Sequence, residues 1–531
     1  MKLELQALPA HFRSRRLVTF CFFLFIAGAA YVTAGYIIAG DLKGLALAGV
    51  VFAGGAIVVA IFKNWRNGLY FFLAWLLFED LARKFLGNNM AIYFAKDVIV
   101  GVIYLAFFVA HRRKDNKNIG RFRPPFHFAV LLMIWFGVMQ VFNPASTSLA
   151  FGILGMKLYF SYVPLAIVGY YLVDSEAGLR KFFHANLGLM LVVIVLGIVQ
   201  SLMGPRFLNP EVMAEDIRLL SETYRVAPMT GAVVYRPTSV FVSAGRFADM
   251  LIVSWTLVFG FSGYLLLRHR RGRLFAFLAL AVTAAGCVMC ASRGVFMWTL
   301  GSSVVGGVAF IWGAPWRQGE ALRVVRTLQR ALLGIALAVV VLFATYPDAF
   351  LGRLAVYSET LDPRSPSSEL LHRARDYPLK NFLGAFDYPR WPYGYGIGTT
   401  SLGVQYVYRF FHARPPVGSV ESGFGTIVIE MGIVGLALWL VMSFSLVLSA
   451  WRVVRTLKGT PWFPLGFMIF WYAFILLLPM TFTSITPYQD FIMNAYMWLL
   501  IGILFRLPKL ALSAQPERSI PAWQPDIRRV R

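Results

Sequence analysis

Long runs of apolar residues alternate with short polar segments along most of the chain. An apolar run of about 18 or more residues can cross a bilayer as an α-helix, and we count about fourteen such runs. They span residues 17–40, 44–62, 69–87, 91–110, 127–143, 149–172, 184–203, 247–267, 274–291, 294–313, 331–346, 422–450, 463–480 and 486–505. The pattern predicts an all-α, polytopic membrane helix bundle.

The charged residues are few and unevenly placed. Only 14% of the residues are charged, and Lys plus Arg outnumber Asp plus Glu by 50 to 25. The basic residues concentrate in short segments on one side of the predicted bundle, such as 13–16, 268–273 and 451–458. Cytoplasmic loops of membrane proteins carry such an excess, so both termini are predicted to be cytoplasmic. The net positive charge therefore indicates an orientation in the bilayer and not a nucleic-acid partner.

Two polar stretches are too long to be simple connections, and both face the side opposite the basic segments. The predicted organisation is a cytoplasmic N-terminus (1–16), N-terminal transmembrane helices (17–203), periplasmic loop one (204–246), central helices (247–346), periplasmic loop two (347–421), C-terminal helices (422–506) and a basic cytoplasmic tail (507–531). Loops of this length are usually functional or disordered. Loop two also contains a predicted amphipathic helix at 368–386, so we expect a large helical loop and place the candidate chemistry there.

Several arginines lie in or beside these outer loops. Arg236 and Arg246 precede the helix after loop one, and Arg293 lies at a tight helical turn. Arg373 and Arg375 lie in loop two. Each of them alone can be a solvated charge or a headgroup anchor. Because arginine binds phosphate in a bidentate manner, several that converge from separate loops would form a diphosphate site.

The stretch "HRARDYPL" adds His372 and Asp376, two side chains that can accept a proton, to the same helical turns as Arg373 and Arg375. Further along loop two, residues 388–418 combine glycines with many aromatic residues, and we call them the glycine–aromatic segment. Tyr395 and its neighbours suit either a membrane-interface belt or stacking against a sugar ring. Without a strand–helix context, the glycines are a weak indication of nucleotide binding.

One predicted membrane helix has two glutamates, one at its N-terminus and one inside its apolar run. Glu421 lies at the outward helix N-terminus, where the helix dipole stabilises a carboxylate. Glu430 lies about 13 Å deeper by helical rise. A carboxylate at that depth is costly and needs a partner. Asp97 and Lys157 are also polar residues within apolar runs, and we expect all three to belong to an internal polar network. The sequence contains no metal-ligand pattern. We therefore expect that the protein uses no metal and no other cofactor.

The order of these features resembles the O-antigen ligase and Wzy-type polymerase family of bacterial polysaccharide assembly. The matching pieces are "YRPTSVFVSAGRFADML", "CASRGVFMW", the long outer loop, "PYGYGIGTTSLG" and "ESGFGTIVIEMGIVGLALWL", and the resemblance covers roughly 70–506. It implies a multi-pass protein of the bacterial inner membrane. Such a protein is a metal-independent glycosyltransferase that moves a glycan from a polyprenyl diphosphate lipid to an acceptor glycan hydroxyl, with other polysaccharide-export and chain-length proteins as further partners.

The resemblance also suggests roles for individual residues. Where the ligases have a His-Asn-like pair, this chain has Glu421 and Ser422, so a polymerase of O-antigen or exopolysaccharide repeat units is favoured over a ligase. Glu421 would be the general base. The leaving diphosphate would be held by Arg236, Arg246 and Arg373. The roles of Arg373 and Arg375 could be exchanged. A ligase acting on lipid A core, protein or another acceptor remains an alternative, as does a flippase or exporter of lipid-linked glycans.

Overall fold

The computed structural model describes residues 42–113, 122–211, 213–227, 229–268, 272–315, 340, 343–345, 347–362 and 375–513. The described residues are mostly helical. The α-helices are α1 (Leu42–Lys63), α2 (Trp65–Phe85), α3 (Met90–Arg113), α4 (His127–Val141), α5 (Leu149–Phe160), α6 (Leu165–Leu172), α7 (Glu176–Met203), α8 (Glu215–Ser221), α9 (Ala244–Arg268), α10 (Arg273–Met289), α11 (Arg293–Gly313), α12 (Pro347–Leu361), α13 (Tyr377–Leu383), α14 (Val404–Phe411), α15 (Gly423–Thr456), α16 (Phe463–Ile475), α17 (Thr481–Thr483) and α18 (Phe491–Ser513).

Short elements complete the architecture. Two three-residue strands, β1 (Tyr224–Val226) and β2 (Val233–Tyr235), pair antiparallel in loop one. A π-helical turn (Leu476–Met480) joins α16 to α17. Two 3-10 turns lie at Gly384–Asp387 and Pro487–Gln489. The described parts of both long loops contain helices. Residues 363–374, which include most of the first half of the helix predicted at 368–386, lie outside the described residues.

Eight spans in the described part of the chain are long and apolar enough to cross a membrane. They are Met90–His111, Leu149–Leu172, Glu176–Met203, Ala244–Arg268, Arg293–Gly313, Gly423–Thr456, Phe463–Thr483 and Phe491–Ser513. Three shorter apolar helices are Gly49–Lys63, His127–Val141 and Arg273–Met289. The chain is therefore a multi-pass membrane protein by length and composition of its helices. The count of about fourteen stays a prediction, because the runs at 17–40 and most of 331–346 lie outside the described residues.

Some of the predicted spans differ in detail from the helices that form. The run at 69–87 corresponds to α2, which is not among the eight because it carries five charged residues: Arg66, Glu79, Asp80, Arg83 and Lys84. The run at 149–172 is divided into α5 and α6 at Pro164, which has no N–H to continue the helical ladder. The last span begins at Phe491 and not at 486, because Asp490 Oδ1 accepts hydrogen bonds from the N–H groups of Ile492 and Met493.

The described residues form two compact units. Residues 42–69 and 98–113 make the first unit, in which Trp65 packs edge-on against Phe107 with ring centroids 5.1 Å apart. Residues 70–97 and 122–513 belong to the second. Its core surrounds α18, which packs against α6 at very short range: a Cβ atom added to Gly502 would lie 2.0 Å from the carbonyl oxygen of Ala166. Small residues allow such close helix packing in membranes.

In the second unit, the helix directions bring loop one and the described parts of loop two to the same end of the bundle, which we call the loop end. The loop end contains the N-termini of α9, α11, α15 and α18 and the C-termini of α7 and α10. At the opposite end, Arg268 of α9 pairs with Glu176 of α7 (3.2 Å), and the N–H of Gly459 donates to Gly313 O at the end of α11 (2.8 Å).

Candidate functional site

The second half of loop one packs onto helix junctions at the loop end. Behind the β1–β2 hairpin, buried side chains from three separate segments form one apolar cluster. Ala227 and Val234 come from loop one, Ala291 from the turn between α10 and α11, and Val356 from α12. These contacts hold loop one, the turn and α12 together as a single structure, and three arginines are built into it.

Arg353 of α12 is the most deeply buried of these arginines, with 2% of its surface exposed. Its Nε donates to the carbonyl oxygen of Met289 (3.1 Å), and its Nη2 donates to the carbonyl and hydroxyl oxygens of Ser201. These carbonyls belong to the last turns of α10 and α7, where the helix itself supplies no donor. Arg353 therefore caps two helices. Sequence analysis missed it, and the available signal was one basic residue in "FLGRLAVY".

Arg236 lies directly after β2, and its backbone N–H donates to the carbonyl oxygen of Thr223 (2.9 Å). Its guanidinium is partly buried, and Nε has no hydrogen-bond partner among the described residues. Burial lowers the pKa of the Arg236 side chain, and the groups that oppose this shift are Cys290 and Tyr357 rather than a carboxylate. A partly buried cation without a matching acid is suited to bind an anion.

Glu359 of α12 fastens the tip of the loop-one hairpin. It accepts hydrogen bonds from the N–H of Met229 (2.7 Å) and from the N–H and hydroxyl of Thr230 (3.0 and 2.6 Å). Burial alone would raise the pKa of Glu359, but these hydrogen bonds and the nearby charge of Arg293 lower it overall. Arg236 and Arg353 both lie near Cys290 and Tyr357, and Arg293 lies near Glu359. We call these three arginines, which come from three segments, the arginine cluster.

Arg246 lies in a different environment from the other predicted diphosphate ligands. Its Nη1 is 2.6 Å from Oδ2 of Asp80, whose other oxygen is 2.8 Å from Nη1 of Arg83. The guanidinium also lies 4.8 Å from the ring centroid of Phe491. Because a buried carboxylate already neutralises this arginine, a diphosphate would have to compete with Asp80. Diphosphate binding by Arg246 remains a prediction, and Arg236 differs from it because no carboxylate is among the groups that shift the pKa of Arg236.

Asp80 belongs to a wider set of buried charges, which we call the ion network. Lys96 Nζ lies 2.7 Å from Glu79 Oε1, and both side chains are buried. Lys157 Nζ lies 2.7 Å from Asp97 Oδ2, with about a fifth of each side chain exposed. The structure thus pairs Asp97 with Lys157, two of the residues that were expected to form an internal polar network. Lys96 and Lys157 also border a small cavity.

Glu421 is exposed and lies just outside the first turn of α15. Ser422, and not Glu421, caps the helix, because its hydroxyl accepts the N–H of Gly425. The Glu421 carboxylate accepts a hydrogen bond from the hydroxyl of Tyr377 on α13. Its backbone N–H donates to Oδ1 of Asn381 at 3.1 Å. The carboxylate is therefore held by α13 at the loop end, while part of it stays open to solvent.

Of the four candidates in the stretch "HRARDYPL", two are exposed and two lie outside the described residues. Arg375 and Asp376 are exposed, and their side chains are 3.8 Å apart. His372 and Arg373 lie outside the described residues. In the described part of the chain, no contact joins Arg375, Asp376 or Glu421 to the arginine cluster. Whether loop two brings these side chains together remains a prediction.

The glycine–aromatic segment is inserted against a break in α15. The helix is interrupted at Gly432, whose φ is 71°. Two carbonyls in the turn before the break accept hydrogen bonds from the segment: Ile429 O from the N–H of Tyr395 (2.8 Å), and Glu430 O from the N–H of Gly396 (2.9 Å). Tyr395 therefore anchors the segment through its backbone. Its ring lies 6.4 Å from the Tyr388 ring, which leaves sugar stacking untested.

The glycines serve this insertion. A Cβ atom at Gly394 would lie 2.4 Å from Glu430 O, and one at Gly432 would lie 2.4 Å from Pro392 O. Both residues also have a positive φ, which other residues rarely adopt. Close approach of two backbones thus explains these glycines without a nucleotide.

Glu430 is fully buried beside the break. Its Oε1 accepts hydrogen bonds from the N–H and hydroxyl of Thr400 (3.0 and 3.2 Å) and from the hydroxyl of Ser401 (2.7 Å). Ser401 in turn accepts a hydrogen bond from Nε2 of Gln489 at 2.9 Å. Glu430 therefore joins the glycine–aromatic segment to α15 and to the residues that precede α18, so its contacts are structural.

Comparison with protein-family models and with curated proteins found no match for the chain. Among the described residues, no group of three or more His, Cys, Asp and Glu side chains is arranged to hold a metal ion. The family resemblance therefore rests on the order of the sequence motifs, and the metal-independent mechanism stays a prediction.

Proposed function

We propose that the chain is a membrane glycosyltransferase that polymerises repeat units of O-antigen or exopolysaccharide from a polyprenyl diphosphate carrier. The observation that carries the proposal is the environment of Arg236 in the arginine cluster. This cation is partly buried at the loop end of a multi-pass membrane protein, and no described carboxylate pairs with it. The order of motifs supplies the kind of anion, a lipid-linked diphosphate that carries a glycan.

The proposed reaction divides the work between two parts of the loop end. Arg236 and Arg293 hold the diphosphate, whose negative charge grows as its bond to the anomeric carbon breaks. An acceptor sugar hydroxyl attacks that carbon and forms the new glycosidic bond. Glu421 takes the proton of the hydroxyl, and polyprenyl diphosphate leaves. Arg353 and Glu359 position the arginines, because they fix α12 to the helix ends and to loop one.

The test of the diphosphate site uses purified protein in liposomes with a polyprenyl-diphosphate repeat unit. Arg236→Ala should reduce the initial transfer rate by about 10²–10³-fold, the usual cost of losing one group that stabilises transition-state charge. Arg236→Lys keeps the charge but loses the bidentate geometry, so we expect intermediate activity. Arg218→Ala is the matched control, because Arg218 is an exposed loop-one arginine paired with Glu215. Equal rates for Arg236→Ala and wild type would refute the site.

A second pair of variants distinguishes the role of Glu421 from that of Glu430. Glu421→Gln keeps the hydrogen bond to Tyr377 but cannot accept a proton, so the rate should fall by about 10²–10⁴-fold. Glu430→Gln should change the rate little, because an amide oxygen can still accept from Thr400 and Ser401. The measurement is product length and initial rate at matched protein abundance. If only Glu430→Gln abolishes polymerisation, the two roles are reversed. If neither variant changes the rate, another residue such as His372 or Asp376 accepts the proton.

The ion network supports one rival function. Buried ionisable residues in membrane helices often mark a transport path, and Lys96 and Lys157 border a cavity. A flippase or exporter would move labelled lipid-linked glycan across the liposome bilayer without lengthening it. A polymerase would lengthen it on one side only. A ligase would transfer it once to lipid A core, protein or another acceptor.

A further inference from the structure

Helix α14, within the glycine–aromatic segment, exposes large apolar side chains. Val407 is buried, but Tyr408, Phe410 and Phe411 are 47%, 50% and 65% exposed. The sequence "VQYVYRFF" places its polar side chains, Gln405 and Arg409, together on one side of the helix. Three neighbouring aromatic side chains that the described residues leave about half exposed or more are typical of a helix that lies in a membrane interface.

Contacts with α5 give the depth of α14. At the start of α14, Gly403 packs near the side chain of Leu154, the sixth residue of α5. Beyond its end, the carbonyl oxygen of Arg414 accepts a hydrogen bond from the Thr147 hydroxyl (2.6 Å), which lies just before α5 begins. The helix therefore rises by roughly 10 Å along a membrane-spanning helix, at 1.5 Å per residue, and leaves it at the loop end.

The surface beside α14 is continuous with the part of α5 that faces lipid. Leu149 and Ile153 of α5 are 56% and 68% exposed, and Lys157, near the other end of the helix, is its only charged residue. The side chains of Phe410 and Phe411 lie between the depth of Leu154 and the level of Thr147. Because α5 belongs to a candidate membrane span and this level is at its N-terminal end, we expect acyl chains to meet headgroups here.

The charge of this region has a single sign. Arg409, His412 and Arg414 are exposed around the end of α14. Residues 388–420 contain no Asp or Glu, so the nearest acids in the sequence are Asp387 and Glu421. Basic residues at a membrane surface favour anionic lipids over neutral ones.

We propose that α14 is an interfacial helix that inserts Phe410 and Phe411 among acyl chains and binds the headgroups of anionic phospholipids through Arg409 and Arg414. The ligand is the surrounding bilayer and not the lipid-linked donor, so this proposal is independent of glycan transfer. Its structural role would be to fix one end of the glycine–aromatic segment at the membrane surface while the other end stays inserted against α15.

The experiment attaches bimane to single cysteines in the full chain, with its three native cysteines replaced by alanine and the protein held in nanodiscs. Phe411→Cys probes the apolar face and Gln405→Cys the polar face of the same helix. Ile153→Cys on α5 is the positive control for lipid contact. Quenching is measured with brominated phosphatidylglycerol and with brominated phosphatidylcholine at equal mole fraction.

We expect both lipids to quench the label at 411 nearly as well as at 153, and much better than at 405. The anionic lipid should associate at 411 up to about 25-fold more strongly, since Arg409 and Arg414 each contribute about fivefold. Arg409→Gln with Arg414→Gln should remove this preference and leave quenching by phosphatidylcholine unchanged. Equal quenching at 411 and 405 would overturn the interfacial placement. Equal quenching by the two lipids at 411 would overturn the anionic preference.

Discussion

The ion network and the arginine cluster both contain basic residues that are buried or part-buried, but they differ in whether a carboxylate neutralises the positive charge. In the ion network, Lys96, Arg246 and Lys157 each lie within 2.7 Å of a carboxylate oxygen. In the arginine cluster, Arg353 binds carbonyl oxygens and Arg236 pairs with no described acid. Charges of the first kind hold helices to one another. A charge of the second kind leaves an anion-binding position open. Substitutions in the ion network should therefore lower stability, whereas substitution of Arg236 should lower anion binding.

The largest effect on stability is expected from Asp80→Ala. This change leaves the buried Arg83 and the part-buried Arg246 without their shared carboxylate, and removal of one partner of a buried pair costs about 3–5 kcal/mol. The measurement is thermal unfolding of purified protein in detergent. Glu215→Ala is the control, because its pair with Arg218 is exposed and should leave Tm unchanged. An unchanged Tm for Asp80→Ala would mean that the network does not hold α2 to α9.

A smaller effect should separate two members of the arginine cluster. Arg353→Met leaves buried carbonyls of Met289 and Ser201 without a donor, at about 1–3 kcal/mol for an unsatisfied buried group. Arg236→Met should not lower Tm, because Nε of Arg236 makes no hydrogen bond to any residue that the structure describes, although glycan transfer should fall. Tm and transfer rate are measured for both variants. A loss of stability in Arg236→Met that matches the loss in Arg353→Met would make both residues structural.

The smallest effect is local and depends on pH. The folded-state pKa of Glu359 lies below the ordinary carboxyl value of 4.5, so its contribution to stability is complete above that value and is lost as the pH falls through the lowered pKa. Hydrogen exchange, corrected for the intrinsic rate, should show the amides of Met229 and Thr230 losing protection below pH 4.5. In Glu359→Gln this pH dependence should vanish. The Arg236 amide, which donates to a carbonyl, is the internal control.

Local sequence patterns predicted the parts of this structure that depend on local composition. Apolar runs predicted the helices that are long and apolar enough to cross a membrane in the described part of the chain, while the total of about fourteen and the placement of the two long loops stay predictions. The partner of Arg246 could not be predicted in this way, because Asp80 lies 166 residues away and meets it only when α2 packs against α9. Arg353 was missed for a related reason. Its acceptors are the ends of two helices, and no local spacing shows which helix ends will lie together.

The broken turn of α15 has a consequence for how the chain is assembled. The carbonyls of Ile429 and Glu430 find their donors in the glycine–aromatic segment. Until that segment arrives, α15 would present unpaired carbonyls to lipid, which is unfavourable by several kcal/mol for each group. The glycine–aromatic segment is synthesised first, yet it can dock only after α15 has entered the bilayer. A chain whose loop two failed to reach the loop end would therefore keep a helix with two unpaired carbonyls at this break.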